Sequence, residues 1–196
     1  MRKKRLFSMA FGFVLLLGLT PIMPAASATT FELLAPVSTV FQYPTDYKLF
    51  TGDGITDFPS ASGDVTAPVQ FVSYGNTAAY YAGFSPGNIA LIERGGTGDT
   101  YFSTKVNLAE ASGAVGAIIF DNTNNYQPVT HDVQTFIPSI FTTDDIGAQL
   151  LSYTYTGALL IAHISIDPIS TPEPTSLLLL GLGLMGLAGV GRKLKK

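Results

Sequence analysis

The stretch GNIALIERGGTGDTYFSTKVNLAEASGAVGAIIFDN, Gly87 to Asn122, constrains the fold most, because two continuous apolar runs flank a helical segment within it. Ile89 to Ile92 and Ala114 to Phe120 lack the polar alternation of half-exposed strands, and such short runs fit strands covered on both faces. Between them Phe102, Val106, Ala109 and Gly113 recur at helical spacing. Asp99 or Thr100 is placed to cap the amino end, and Gly113 suits the left-handed position past the last turn. Strand, helix, strand over this length predicts a parallel pair joined by a right-handed crossover. Glycines 95, 96 and 98 have two readings, a phosphate cradle or a plain strand-to-helix turn. No Gly-Lys-Ser/Thr follows and the GxGxxG spacing is missing, which favours the turn.

These residues carry a family resemblance. Asn88 to Gly96 (NIALIERGG), the helix with Phe102, Lys105, Asn107 and Ala109, then Gly113-Ala114-Val115-Gly116 and Ile118-Ile119 closely resemble the protease-associated (PA) domain. The match continues through Ile137-Pro138 and the short helix Thr143 to Leu151, and covers about half the chain. It implies a mixed α/β fold of the PA-type β/β/α kind, with short strands in an open barrel or sandwich-like sheet, one βαβ unit and two short helices. Many relatives have a cysteine just after the Arg-Gly-Gly turn, where Thr97 stands here.

A chain of 196 residues allows one domain with appendages, and the folded part can bury a core without staples, which the absence of cysteine would deny it in any case. Residues 1–28 read as a secretory signal. Arg2, Lys3, Lys4 and Arg5 form the charged region, Leu6 to Leu19 the apolar region, and Ala26-Ser27-Ala28 the cleavage site, with Ala26 and Ala28 as its small residues. An uncleaved anchor fits less well, because the run is short for a span of about 20 residues and Pro21 and Pro24 interrupt its end. The PA domain is then expected over residues 29–167. From Thr29 to Thr171 only Lys48, Arg94 and Lys105 are basic against thirteen Asp and Glu, a net of −10, which repels nucleic acid.

Phe31 to Leu34, Val37 to Tyr43, Val69 to Tyr74 and Ala78 to Tyr81 read as short strands, Asp53-Gly54 as a hairpin turn, and Phe58 to Val65 as a loop. Asp46, Asp53, Asp57 and Asp64 offer oxygen ligands for calcium, but EF-hand spacing is absent and solvated loops are the commoner reading. No other cofactor or metal is expected. Thr123 to Gln134 is polar and reads as a surface loop. Its His131-Asp132 pair invites a triad reading, yet adjacent loop residues seldom face each other, and the chain holds no HExxH or GxSxG. The second histidine, His163, alternates with Ile164 and Ile166 and should face solvent or a neighbouring strand. Ile137 to Phe141 reads as a strand, Thr142 or Thr143 caps the following helix, with Asp144 and Asp145 favoured in its first turn, and Gly157 to Ile166 closes the domain.

At the carboxyl end a linker, 168–174, closes with Pro172-Glu173-Pro174. Residues 175–191 form an apolar segment, and 192–196 a basic tail with Arg192, Lys193, Lys195 and Lys196. This three-part order resembles the PEP-CTERM sorting signal. The resemblance implies recognition by an exosortase, removal of the tail near the motif, and delivery to the envelope or exopolysaccharide matrix of a Gram-negative bacterium. The fifteen residues Leu177 to Gly191 make about 22 Å of helix, short of the roughly 30 Å hydrocarbon core, and five glycines weaken it. A temporary anchor suits such a segment better than a permanent one. The expected role is a non-catalytic interaction module for an unknown protein or exopolysaccharide. The contact residues are expected in the polar loops, at Thr97, Asp99, Asn122, Asn124, Asn125, Tyr126, His131 and Asp132. The alternatives are a substrate-docking subunit or fragment of a secreted peptidase, or a calcium-dependent matrix adhesin.

Overall fold

A computed structural model describes residues 29–51, 59–97, 101–123 and 131–168. The Asp53-Gly54 turn, the signal cleavage residues Ala26 and Ala28, and the sorting residues Pro172, Glu173 and Pro174 lie outside the described residues. So do Asp99, Asn124, Asn125 and Tyr126.

The described elements are β1 (Thr30–Ala35), β2 (Thr39–Phe41), β3 (Tyr47–Leu49), β4 (Gly63–Phe71), β5 (Ile89–Glu93), α1 (Phe102–Ala111), β6 (Gly116–Phe120), β7 (Ser139–Thr142), α2 (Asp144–Tyr155) and β8 (Ile161–Ile166). Among the described residues the eight strands form one sheet in the order β2-β1-β8-β4-β5-β6-β7-β3. The expected parallel pair is its centre: β5 and β6 run parallel from Ile89↔Gly116 to Glu93↔Phe120, with α1 as the crossover. β4 and β7 extend the parallel block on either side, whereas β8 runs antiparallel between β1 and β4.

Burial follows from this order. On β5 and β6, Ile89, Leu91, Ile118 and Phe120 join one core cluster, and Ala90, Ile92, Ala117 and Ile119 join a second one with Val106 and Ala109 of α1. Both faces are therefore covered, which is why these strands read as unbroken apolar runs. β8 instead alternates half-buried and buried positions, as a strand with one core face should. The ends of the sheet curl together: Phe31 of β1 meets Tyr47 of β3 edge to face at 5.7 Å, and the Tyr47 hydroxyl donates to the Thr29 carbonyl. The result is a mixed α/β, nearly closed sheet with two helices.

Several local expectations are corrected. Ala78–Tyr81 is a 3-10 turn, not a strand; its Tyr81 side chain turns inward and donates to the Lys105 and Gly75 carbonyls. The loop expected over Phe58 to Val65 gives way at Gly63 to β4, because β8 pairs with it from Gly63 to Pro68. The second strand shrinks to Thr39–Phe41, β7 starts at Ser139, and the closing strand starts at Ile161. The α1 cap position falls to Tyr101, which makes no side-chain capping bond. Gly113 does take the left-handed conformation, at φ +88°. Thr143 caps α2 by accepting from the Ile146 N–H at 3.4 Å. Among the described residues no helix is long and apolar enough to cross a membrane.

Candidate functional site

The carboxyl ends of parallel strands are where open α/β sheets present their ligand-binding loops. Here that edge is built by the residues leaving β5 and β6. Arg94 donates its backbone N–H to the Phe120 carbonyl, and Asp121 donates its own to the Thr142 carbonyl, so the pairing extends one step past the strands. The Arg94 guanidinium then reaches the Asp121 carboxylate at 3.0 Å. Asp121 is nearly fully buried, and the same Oδ1 also accepts from the Asn122 N–H and the Thr123 hydroxyl. Burial by itself raises the Asp121 pKa, but the bonds from Arg94, Asn122 and Thr123 outweigh it and hold the carboxyl below its ordinary value. Asn122 closes the network by donating to Glu93 Oε1 at 3.1 Å and to the Arg94 carbonyl at 2.9 Å.

The Gly-rich turn is organised from inside. Lys105 of α1 is fully buried, and its Nζ donates to the carbonyls of Tyr74, Glu93 and Gly95, the last at 2.8 Å. A phosphate cradle needs inward N–H groups. This turn points carbonyls inward, onto its own cation. Gly96 sits at φ +106°, where an added Cβ would lie 2.9 Å from Asn76 Nδ2, so the turn leaves no room for another residue. Asn76 holds the far end of the turn by donating to the Thr97 carbonyl at 2.7 Å.

The sequence-expected contact residues separate. Thr97 and Asn122 are exposed and lie on the two loops of this edge. Asp132 is exposed and its carboxylate accepts from the Ser103 hydroxyl. His131 is a correction: it is fully buried, stacked on Phe50 with centroids 3.9 Å apart, and is no surface contact. The aromatic partner explains it, since an imidazole can join an apolar cluster when neutral. The triad reading gains nothing, because Nδ1 of His131 faces Thr135 Oγ1 at 3.2 Å rather than Asp132. His163 of β8 lies 2.9 Å from Asp64 and 4.0 Å from Glu32, across both neighbouring strands. Of the aspartates considered for calcium, Asp53 and Asp57 lie outside the described residues, Asp64 faces His163, and Asp46 accepts from the Gln42 N–H. Among the described residues no group of three or more His, Asp or Glu is placed to hold a metal.

Sequence reasoning missed Arg94, Asp121 and Lys105 as organising residues. A signal existed, because Arg94 and Lys105 are two of the three basic residues between Thr29 and Thr171, and an isolated charge beside apolar runs needs a partner.

Comparison with known proteins agrees with this geometry. Residues 60–150 match the PA domain family, and residues 170–193 match the PEP-CTERM protein-sorting motif. Among solved structures the chain is similar to an aminopeptidase from Aneurinibacillus sp. strain AM-1, at 26% identity and a TM-score of 0.58, over 74% of this chain and 31% of that one. It also shares its fold with a zinc aminopeptidase from Bacillus subtilis, at 20% identity and a TM-score of 0.53, over 76% of this chain and 32% of that one. The chain thus spans about a third of the length of these enzymes. No curated protein sequence matches it. The sorting motif is the exosortase recognition signal, and it marks the chain for export and transient membrane anchoring before surface or matrix localisation. The chain thus carries a PA domain over residues 60–150 and, after it, a PEP-CTERM sorting motif over residues 170–193, the make-up of an exported, sorted PA-domain protein.

Proposed function

We propose that the chain acts at the cell surface or in the matrix as a non-catalytic interaction module that holds a protein or exopolysaccharide at the carboxyl edge of β5 and β6. The observation that carries this reading is the contrast between a fixed base and an open rim. Arg94, Asp121 and Lys105 are locked beneath the loops, while Thr97 and Asn122 are exposed above them. Binding loops on a rigid scaffold have this construction. An exosortase-type enzyme is the partner that processes the tail, and the membrane is a transient one.

Crosslinking the native protein on living cells, followed by identification of what is attached, tests the reading. A specific envelope protein or polysaccharide is expected, and its capture should fall in a Thr97→Lys, Asn122→Lys double variant. Equal capture by that variant would move the contact elsewhere.

A second reading is favoured by the 26% likeness to an aminopeptidase: the chain presents substrate to a secreted peptidase. Under it, the crosslinked partner is a peptidase. Peptide hydrolysis with bound zinc in the purified chain alone would overturn the non-catalytic reading.

A further inference from the structure

His131 occupies a place built for a neutral ring. It is fully buried, its Nδ1 meets Thr135 Oγ1 at 3.2 Å, and its Nε2 is buried with no hydrogen-bond partner among the described residues. The imidazole lies nearly parallel to Phe50, at 24°. Beneath Phe50 stand Phe102 of α1 and Phe141 of β7, with centroids 5.6 and 6.5 Å away, so His131 covers an aromatic cluster.

A protonated imidazole would place a charge and a second N–H in that apolar setting without an acceptor. Of the described groups that meet the ring, Phe50 and Thr135 carry no charge. The Asp132 carboxylate is the charged group that acts on it, favouring protonation. Burial is the larger effect and pushes the pKa down to about 4. Asp132 accepts from Ser103 of α1, which gives the same segment a second, polar attachment.

We propose that residues 131–136 form an acid-released latch, in which protonation of His131 withdraws the ring from Phe50 and lifts the segment off the aromatic cluster while the sheet stays folded. Thr135 and Phe136 also line a groove of about 500 Å³ with Pro59, Ser60 and Ala61, so release widens that groove and bares apolar surface next to it. Phe136 is already 66% exposed at its rim. The closed form is fully favoured above about pH 6.5, the value of a free histidine, and loses that advantage as pH falls towards 4. The exported protein would therefore hide this surface near neutrality and present it in acidified surroundings.

Hydrogen exchange of the full chain at pH 7.5 and pH 5, corrected for the intrinsic rate, tests the latch. Opening of residues 131–136 should rise on the order of 30-fold at the lower pH, with amides of β5 and β6 unchanged. His131→Phe keeps an aromatic stack without a proton site, and its exchange should lose this pH dependence. Titration of the His131 ring by NMR provides a measurement that needs no variant, and should place its pKa near 4. Unchanged exchange between the two pH values, the same rise in His131→Phe, or an equal rise throughout the sheet would each overturn the proposal.

Discussion

At single-residue scale, the body hides charge where it needs geometry. Lys105 spends its ammonium on three main-chain carbonyls from two turns. Lys105→Met keeps the stem but strands those acceptors, and should lower unfolding free energy in urea titration by about 3 kcal/mol, since each buried group left unpaired costs about 1–3. Asp121 gives a different signature. Its folded pKa lies below the ordinary 3.8, so its bonds add stability that is complete above that value and fades as pH falls through the folded one. Asp121→Asn should cost about 1 kcal/mol at pH 7, the Arg94 side being partly solvated, and should make the acid limb of a stability-versus-pH curve shallower.

Individual elements show where packing overrides local preference. Helix α2 lays Gly147 on the Phe120 ring so closely that an added Cβ would stand 2.3 Å from Cδ2. Gly147→Ala, a change that raises intrinsic helix propensity, should nevertheless destabilise by about 1–3 kcal/mol in chemical denaturation, because the core is overfilled. Thr143→Ala removes a long, 3.4 Å capping bond and should cost less than about 1 kcal/mol in the same assay. The β5-α1-β6 unit was legible in the sequence because burial on two faces leaves a compositional mark. Lys105 on the buried face of α1 was marked only by the scarcity of basic residues around it, as its partners come from segments 10 to 31 residues away. Tyr81 misled for a related reason: an aromatic run reads as strand, while its hydroxyl bonds to Lys105 and Gly75 fix a turn. His131 sits in a polar stretch, and nothing nearby in sequence announces Phe50 as its cover. The exposure of Thr97 and Asn122 follows from loop polarity, but the locked network beneath them depends on strand register, which a single sequence does not encode locally.

For the molecule as a whole, the acidic body and the basic ends carry opposite charge. If the tail is a temporary anchor, intact-mass measurement on protein from cells with a working sorting enzyme should find residues Arg192 to Lys196 missing, and protein from cells lacking that enzyme should retain them. The position of β8 sets when the sheet can be completed. The last strand of the body is inserted between β1 and β4, not added at a rim. It acts as a keystone, so the sheet stays incomplete until Ile166 has been delivered. Eight residues, Asp167 to Pro174, carry the chain from β8 to the end of the Pro-Glu-Pro sequence, a reach of at most about 29 Å. The strand that completes the sheet is therefore also the last of the eight to be made, and a body truncated ahead of it would leave β1 and β4 without the neighbour they share.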